Sequence, residues 1–259
     1  MKKLLKIILI LILIVVVLAG IVIGIFVLNG YQDYKSVVDK VPLSSKVYDL
    51  QSKASYVKYS DISNDYFNAV VAVEDERYWQ HGAIDFISIV RALVSNASQG
   101  KYAEGASTIT MQVAKNYYFM EDGGLTAKDR KGAEIFIAFD LQNNYSKEEI
   151  LEMYANMIYF GAGYTGIKDA AWGYFKKDPK DLNLAECIML AGVPNAPSLY
   201  SPKVNKDLCK SRMGKVISSM VKNKYITQEE ADKIDMSFID EIYDKSDIKS
   251  ESSKKEDND

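Results

Sequence analysis

An apolar run from Ile7 to Leu28 contains no charged side chain and dominates the first part of the chain. Its length is sufficient for one helix to cross the roughly 30 Å hydrocarbon core of a membrane. Lys2, Lys3 and Lys6 precede it, so the positive-inside rule predicts a cytoplasmic N-terminus and a domain on the opposite side. The apolar core of a cleaved signal peptide is usually only about 7–15 residues long, which favours an uncleaved anchor.

Beyond the anchor, apolar side chains recur mainly at the three- and four-residue spacing of a helix. Tyr31 to Lys40 predicts a short stalk helix that leaves the membrane. Capping residues then mark the starts of successive helices: Asn64 or Asp65, Asp85, Ser107, Thr126 and Ser146. These helices are predicted to end near Trp79, Ser98, Tyr118, Gln142 and Ile158, respectively. A further helix ends near Phe175, and three more cover residues 182–191, 206–222 and 228–234.

Three stretches predict structure other than a helix. Weak alternation between Lys46 and Tyr59 predicts a small hairpin. Pro194, Pro197 and Pro202 predict a rigid extended segment. Residues 245–259 contain almost nothing apolar and predict a solvated, disordered tail. The expected organisation is a mainly α protein with an anchor at residues 1–30, a stalk at 31–45, one domain at 46–243 and a charged tail at 244–259.

Composition excludes several classes of protein. The net charge of -3 does not indicate a nucleic-acid binder or a strongly basic membrane-binding patch. Two cysteines are not a disulfide framework, and Cys187 lies in an apolar stretch where a small buried side chain is expected. A single histidine argues against a histidine-rich metal site, and no dedicated cage of metal ligands is visible.

Glu74 is the first candidate for chemistry, because it lies on the helical face marked by Val70 and Val71. Tyr78 and His81 continue that face. A carboxylate held among apolar side chains loses hydration, which raises its pKa and makes it a useful base near neutral pH. The alternative is a glutamate at the boundary of the core that forms an ion pair.

A second candidate is the segment from Gly105 to Gln112, where a glycine precedes a capped helix start. Backbone N–H groups at a helix N-terminus favour an anion such as phosphate. One face of that helix carries a polar stripe formed by Thr108, Gln112 and Lys115. The stripe ends in a cation, Lys115. The alternative is an ordinary capped helix with a polar outer face.

A third candidate is the pair Arg130 and Glu134, one helical turn apart. The simpler interpretation is a surface ion pair that contributes a few tenths of a kcal/mol. However, Ile137 and Leu141 lie on the same face as Glu134, so this glutamate also projects from an apolar surface. Two such glutamates near basic residues suggest an acid–base or charge-steering pair.

Two further stretches, residues 147–156 and 159–167, form a capped amphipathic helix and a glycine-broken loop. Core packing accounts for most of their residues. Asn156, at the end of its helix, is the residue best placed to fix a loop or a ligand through its amide.

Together, the five stretches resemble the peptidoglycan glycosyltransferases of glycosyltransferase family 51, in particular the monofunctional type with one membrane helix. The resemblance covers about Lys46 to Pro202. The pattern Glu-Asp-x-x-Phe-x-x-His-x-Gly-x-Asp is matched by Glu74, Asp75, Tyr78, His81 and Asp85, with Ala83 in place of the usual glycine.

The remaining family patterns are matched with few departures. Gly-Gly-Ser-Thr-Ile-Thr-Gln-Gln is matched at residues 105–112 except at Ala106 and Met111, and Arg-Lys-x-x-Glu is matched fully by Arg130, Lys131 and Glu134. Ala133 stands where a basic residue is often found, and Ala155 replaces a leucine. Met111 and Ala133 would remove two polar contacts to the phosphates of the donor.

The resemblance implies a lysozyme-like α-helical fold in a bacterial cell membrane and the polymerisation of lipid II. Glu74 would take the proton from the 4-hydroxyl of the acceptor sugar, which attacks the donor's anomeric carbon with inversion and releases polyprenyl pyrophosphate. Glu134 would orient basic residues or the acceptor. The residues expected to bind substrate are Asp75, Tyr78, His81, Arg91, Ser107, Thr108, Gln112, Lys115, Arg130, Lys131 and Asn156.

The resemblance also suggests that a divalent cation, Mg²⁺ or Mn²⁺, bridges the pyrophosphate, with no organic cofactor. The expected partners are lipid II, the growing lipid-linked glycan, the membrane and proteins of a cell-wall synthesis complex. One alternative is a lysozyme-like hydrolase or lytic enzyme, which would not need a phosphate-binding helix start. The other is a catalytically impaired membrane scaffold, which Ala83, Met111 and Ala133 favour.

Overall fold

The computed structural model describes residues 2–99, 105, 107–120 and 127–242, and most of these residues are helical. The helices are α1 Lys2–Val38, α2 Leu43–Gln51, α3 Asn64–Glu74, α4 Phe86–Gln99, α5 Ile109–Tyr118, α6 Ala127–Asn144, α7 Lys147–Met157, α8 Ile167–Phe175, α9 Leu184–Gly192, α10 Pro197–Tyr200, α11 Lys206–Lys222, α12 Gln228–Asp232 and α13 Phe238–Glu241. Short 3₁₀ turns occur at Tyr59–Asp61, Tyr78–Gln80 and Val193–Asn195. This is the mainly α, lysozyme-like domain on an apolar N-terminal helix that the sequence predicts.

Helix α1 is long and apolar enough to span a membrane, and its apolar side chains are exposed in the structure. The predicted stalk at residues 31–40 is not a separate helix, because it continues α1 without a break to Val38. The predicted tail at 244–259 and the predicted cap at Thr126 lie outside the described residues.

The core is centred on α9, where every residue from Glu186 to Gly192 is buried. Helices α3 and α11 pack on α9, while α5 packs on α6 and α7. Cys187 is buried within α9, as its apolar surroundings predict. This arrangement brings the C-terminal end of α3, the start of α5 and one face of α11 together.

Two predicted elements are wrong. The predicted hairpin is instead helix α2, because Leu43, Val47 and Leu50 form one buried helical face. The predicted extended proline segment is a 3₁₀ turn followed by α10, and Pro197 is the first residue of that helix. Proline is tolerated in the first turn because the N–H group that it lacks would have no intrahelical acceptor there.

Most helices begin at or next to the capping residues that the sequence predicts. Ser146 forms the predicted capping box with Glu149. The helix predicted to reach Trp79 instead ends at Glu74, where Asp75 leaves the helical conformation with a φ of -155°. The α5 cap is Thr108 rather than Ser107, and its side chain accepts a hydrogen bond from the Met111 N–H.

Candidate active site

A cleft of about 460 Å³ lies between the end of α3, the starts of α4 and α5, and α11. Its lining is rich in charged and polar side chains: Glu74, Asp75, Glu76, Asp85, Ser88, Arg91, Ser107, Thr108, Gln112, Asn195, Arg212, Ser219 and Lys222. Acidic residues therefore come mainly from the α3 side, and cations come from α4 and α11. The arrangement suits an anionic ligand that reacts next to a carboxylate.

Glu74 lies at the C-terminal end of α3 and faces this cleft, with its side chain 12% exposed. Its Oε1 atom is 3.0 Å from Arg212 Nη2, and its Oε2 atom accepts a hydrogen bond of 3.1 Å from Gln112. Arg212 forms an ion pair with this side chain and Gln112 fixes its orientation. The predicted position among apolar residues is confirmed, since Val70 and Val71 are buried.

Arg212 was not anticipated from the sequence. It lies in the middle of α11, where its Nε atom also donates to the Gly192 carbonyl at 3.1 Å. Its guanidinium carbon is 5.8 Å from the centre of the Tyr200 ring. No local pattern could reveal this residue, because 138 positions separate it from Glu74.

Asp75, next to Glu74, connects the end of α3 to the start of α5. Its Oδ2 atom accepts a 3.0 Å hydrogen bond from the Ile109 N–H, and its Oδ1 atom is 2.7 Å from His81 Nε2. His81 Nδ1 in turn faces the Gly82 carbonyl at 2.6 Å. The His81 ring thus links Asp75 to the Gly82 carbonyl.

This contact changes the interpretation of the α5 N-terminus. The sequence predicts that its free N–H groups hold a phosphate, but Asp75 already accepts from Ile109 and the Thr108 side chain accepts from Met111. The protein thus supplies its own anion at this helix end. Ser107 and Thr108 still line the cleft, so they remain close to any ligand there.

Asp85 fixes the start of α4. Its Oδ1 atom accepts from the Ile87 and Ser88 N–H groups, and its Oδ2 atom accepts from Arg77 at 3.0 Å and the Ser88 hydroxyl at 2.6 Å. Burial acts to raise the pKa of Asp85, but the hydrogen bonds from Ser88 and Arg77 outweigh it, so this pKa is lowered. The predicted cap is therefore confirmed.

Asp75, His81 and Asp85 have ligand-type atoms within 4.8 Å of one another. They do not fit a cation cage, because the hydrogen bonds described above occupy both oxygens of each carboxylate and both histidine nitrogens.

Arg91 on α4, predicted to bind phosphate, lies in the cleft and forms an ion pair with Glu76. Lys222 on α11 also pairs with Glu76, at 2.7 Å. The hydrogen bond from Lys222 is the first cause of a lowered pKa for Glu76, and Arg91 adds to it. Glu76 and Lys222 are two further cleft residues that the motifs did not reveal.

Lys131 and Glu134 lie on one face of α6, beside the start of α5. Lys131 Nζ is 3.0 Å from Glu134 Oε2 and donates to the Ser107 hydroxyl at 2.9 Å. Arg130 is near them in sequence but donates to the Phe119 carbonyl at 3.4 Å. The predicted Arg130–Glu134 pair is thus replaced by Lys131–Glu134, which is three rather than four residues apart.

Four other predicted binding residues lie away from the cleft lining. Buried Tyr78 donates to the Lys147 carbonyl at 2.8 Å, and His81 reaches the cleft only through Asp75. The Asn156 amide accepts from the Val57 N–H and donates to the Val57 carbonyl, both at 2.8 Å, so it fixes a loop. Lys115 is exposed at the last turn of α5.

Three of the departures from the family motifs, Ala83, Met111 and Ala133, are buried. Ala83 and Met111 pack together with Ala138 in a small apolar cluster, and Ala133 is fully buried in the main core. Met111 and Ala133 therefore point into the interior, and the cleft lining does not include them. The loss of two phosphate contacts expected from these positions stays a prediction.

The chain matches a family of known proteins. The family model described as Transglycosylase matches residues 42–221. The chain belongs to the transglycosylase family. A Cupriavidus necator protein with a transglycosylase name is 43% identical over 68% of this chain and 75% of its own length. The resemblance to glycosyltransferase family 51 is thereby confirmed.

Other relatives of this transglycosylase are much longer. Penicillin-binding protein 1A of Neisseria lactamica is 41% identical over 70% of this chain, and the chain spans only 22% of that relative. A solved structure, penicillin-binding protein 1A from Haemophilus influenzae, is 41% identical over 33% of this chain and 13% of its own. Its TM-score of 0.32 reflects an overlap too small to describe the fold.

Proposed function

We propose that this transglycosylase is a peptidoglycan glycosyltransferase that polymerises lipid II. The growing lipid-linked glycan is the donor and a new lipid II molecule is the acceptor. The observation that carries the proposal is the Glu74 carboxylate, which faces a cleft whose other walls present Arg91, Arg212 and Lys222. A base next to a concentration of positive charge fits a reaction in which a diphosphate leaves.

Glu74 takes the proton from the acceptor 4-hydroxyl, and that oxygen attacks the anomeric carbon of the donor sugar with inversion. The bond from this carbon to the pyrophosphate oxygen breaks, and polyprenyl pyrophosphate leaves with the electron pair. Gln112 holds the reacting carboxylate in place. Arg212 contacts the Glu74 carboxylate directly and helps to hold it at the edge of the cleft.

The leaving diphosphate carries concentrated negative charge, which the cations of the cleft and of α6 would stabilise. Lys131 is the α6 candidate, because it reaches Ser107 at the rim of the cleft. Glu134 holds Lys131 through their 3.0 Å contact, so its role is to orient this cation. Glu74 is the base in this scheme, and Glu134 is a positioning residue.

Lipid-linked substrates would remain partly in the membrane during the reaction. The exposed apolar helix α1 provides an anchor. Helix α4, beside the cleft, also exposes a large apolar face: Phe86, Ile87, Val90 and Val94. We propose that the N-terminus is cytoplasmic, that the domain over residues 46–243 is extracytoplasmic, and that cell-wall synthesis proteins are its partners.

Purified full-length protein incubated with lipid II tests the proposal. Conversion of lipid-linked monomer into long glycan, with release of polyprenyl pyrophosphate, is the expected result. Digestion of purified cell wall without any polymerisation would instead identify a lysozyme-like hydrolase. Absence of both reactions from a folded protein would favour the impaired scaffold.

A further inference from the structure

Helix α1 continues beyond its apolar run and packs against α6, the helix that carries Lys131 and Glu134. Gly30 of α1 and Gly132 of α6 are both buried at the crossing point. A Cβ added to Gly30 would lie 2.7 Å from the Gly132 Cα, and one added to Gly132 would lie 2.6 Å from the Gly30 Cα. The obstructing atoms are backbone, so rotation of a side chain could not relieve the overlap.

The same two helix faces remain in contact beyond the glycines. Tyr34, one turn after Gly30, has its ring centre 5.8 Å from that of Phe136, one turn after Gly132. The Tyr34 hydroxyl donates a 2.6 Å hydrogen bond to Asp140, a further turn along α6. The two helices therefore stay side by side through three contacts in succession: the glycine pair, the Tyr34–Phe136 ring contact and the Tyr34–Asp140 hydrogen bond. The glycine pair is where the two backbones come closest.

The position of this crossing relates it to the membrane. Gly30 is two residues beyond Leu28, the last residue of the uncharged run, which corresponds to roughly 3 Å along the helix. The contact thus lies at the expected membrane surface. On the other side of the crossing, Gly132 directly follows Lys131 in the chain, and Lys131 reaches Ser107 at the rim of the cleft.

We propose that Gly30 and Gly132 form a backbone junction that positions Lys131 and Glu134 at the membrane surface, where the diphosphate of a lipid-linked substrate must lie. This inference rests on the proposed function. The glycines act through α6 and are positioning residues. Separation of α1 from α6 would move Lys131 relative to Ser107, and small misplacements of such groups are costly to the reaction.

Full-length Gly30→Val protein tests the junction, with Gly24→Val as the matched control. Gly24 lies six residues earlier on α1, and a Cβ there meets nothing within 4 Å. We expect Gly30→Val to lower kcat for lipid II by about 10- to 100-fold while KM changes much less, whereas Gly24→Val matches the parent. Gly30→Ala, which introduces only the Cβ, should show a smaller loss in the same direction.

A second measurement follows the junction without activity. Cysteines replacing Tyr31 and Phe136, whose ring centres are 5.5 Å apart, should be joined by a short bismaleimide in the parent and in Gly24→Val. The yield should fall in Gly30→Val. If Gly30→Val fails to fold, Gly30→Ala and Tyr34→Phe provide the same two measurements in milder variants.

The outcomes separate the two proposals. An inactive parent would overturn the proposed function. An active parent with an equally active Gly30→Val protein would overturn the positioning role alone. Equal losses in the Gly24 and Gly30 variants would also overturn it, since the effect would then come from the anchor in the membrane rather than from contact with α6.

Discussion

Glu74 in the cleft and Glu152 on α7 both lie among apolar residues, but the carboxylate oxygens of the two glutamates have different hydrogen-bond partners. Glu152 on α7 accepts hydrogen bonds from the Tyr59 N–H, at 2.6 Å, and from the Tyr56 hydroxyl. Glu74 contacts only side chains in the described structure, those of Gln112 and Arg212. A backbone donor cannot leave its acceptor without local unfolding, whereas a side chain can change partner when a substrate binds.

Burial alone would select the wrong glutamate. Glu152 is 6% exposed and is more buried than Glu74, yet only Glu74 lines the cleft. Burial raises the pKa of Tyr56, and its hydrogen bond to Glu152 adds to this shift, so the pair is a fixed structural contact. A reacting carboxylate therefore requires access and partners that can be exchanged, in addition to partial desolvation.

Replacement of each glutamate by glutamine should give the largest contrast. Glu74→Gln removes the base, and we expect lipid II polymerisation to fall by about 10²- to 10⁴-fold with little change in the thermal unfolding midpoint. Glu152→Gln should retain kcat but lower the free energy of unfolding by about 1–3 kcal/mol. An unchanged rate in Glu74→Gln would remove this residue from the mechanism.

Arg212 is expected to give the next largest effect. In Arg212→Gln, Glu74 loses its cation and the cleft loses a charge that stabilises the leaving group, so kcat/KM should fall by roughly 100-fold. Arg212→Lys retains the charge but not the planar fork and should recover only part of the activity. Steady-state kinetics with lipid II provide the measurement, and wild-type kinetics in Arg212→Gln would contradict the assignment.

The sequence predicts Glu74 but not its partner, for a physical reason. Helical spacing is local, so Val70 and Val71 are enough to place Glu74 on a buried face. Arg212 depends on how α11 packs on α3, and no pattern within α11 reports that packing. The same distinction explains why most helices and the cleft residue Arg91 were predicted, while Arg212 and Lys222 of α11 were not.

The errors in the local predictions have equally specific causes. Ser107 and Thr108 are both good caps, so composition could not choose between adjacent positions. The phosphate expected at the α5 start stays a prediction, and no local pattern could show that Asp75 reaches the Ile109 N–H, 34 positions away. The predicted hairpin failed because it rested on weak alternation within residues 46–59, whereas the buried residues Leu43, Val47 and Leu50 follow the four- and three-residue spacing of a helix.

Asn156, like Glu152, is expected to affect stability but not catalysis. Asn156→Ala would leave both the N–H and the carbonyl of Val57 without their side-chain partner. We expect the free energy of unfolding to fall by about 1–3 kcal/mol. For the folded fraction, kcat/KM should match wild type, because the amide does not face the cleft. Chemical denaturation and kinetics on the same sample measure both quantities, and a selective loss of kcat would place Asn156 in the active site.

Asp85 should show a pH-dependent effect on stability. Its folded pKa lies below the ordinary value of 3.8, so its stabilisation is fully present above about pH 4 and is lost as the pH falls through the folded pKa. Asp85→Asn keeps a capping side chain but removes the charge that accepts from Arg77, so the free energy of unfolding should fall by about 1–2 kcal/mol near neutral pH. The gap from wild type should narrow below pH 4, and a gap that stays constant under acid would contradict the assignment.

Lys115 should give the smallest effect, because it is exposed on the turn of α5 that follows Gln112. An exposed cation interacts through solvent, so its contact with a donor phosphate should contribute no more than about 1 kcal/mol. Lys115→Ala should therefore raise the lipid II KM by roughly two- to fivefold and leave kcat nearly unchanged. Lys233→Ala, which removes an exposed cation at the C-terminal end of α12, just beyond Asp232, is the control and should leave both constants unaltered. If the Lys115 variant shows the wild-type dependence on lipid II concentration, donor binding is confined to the cleft cations.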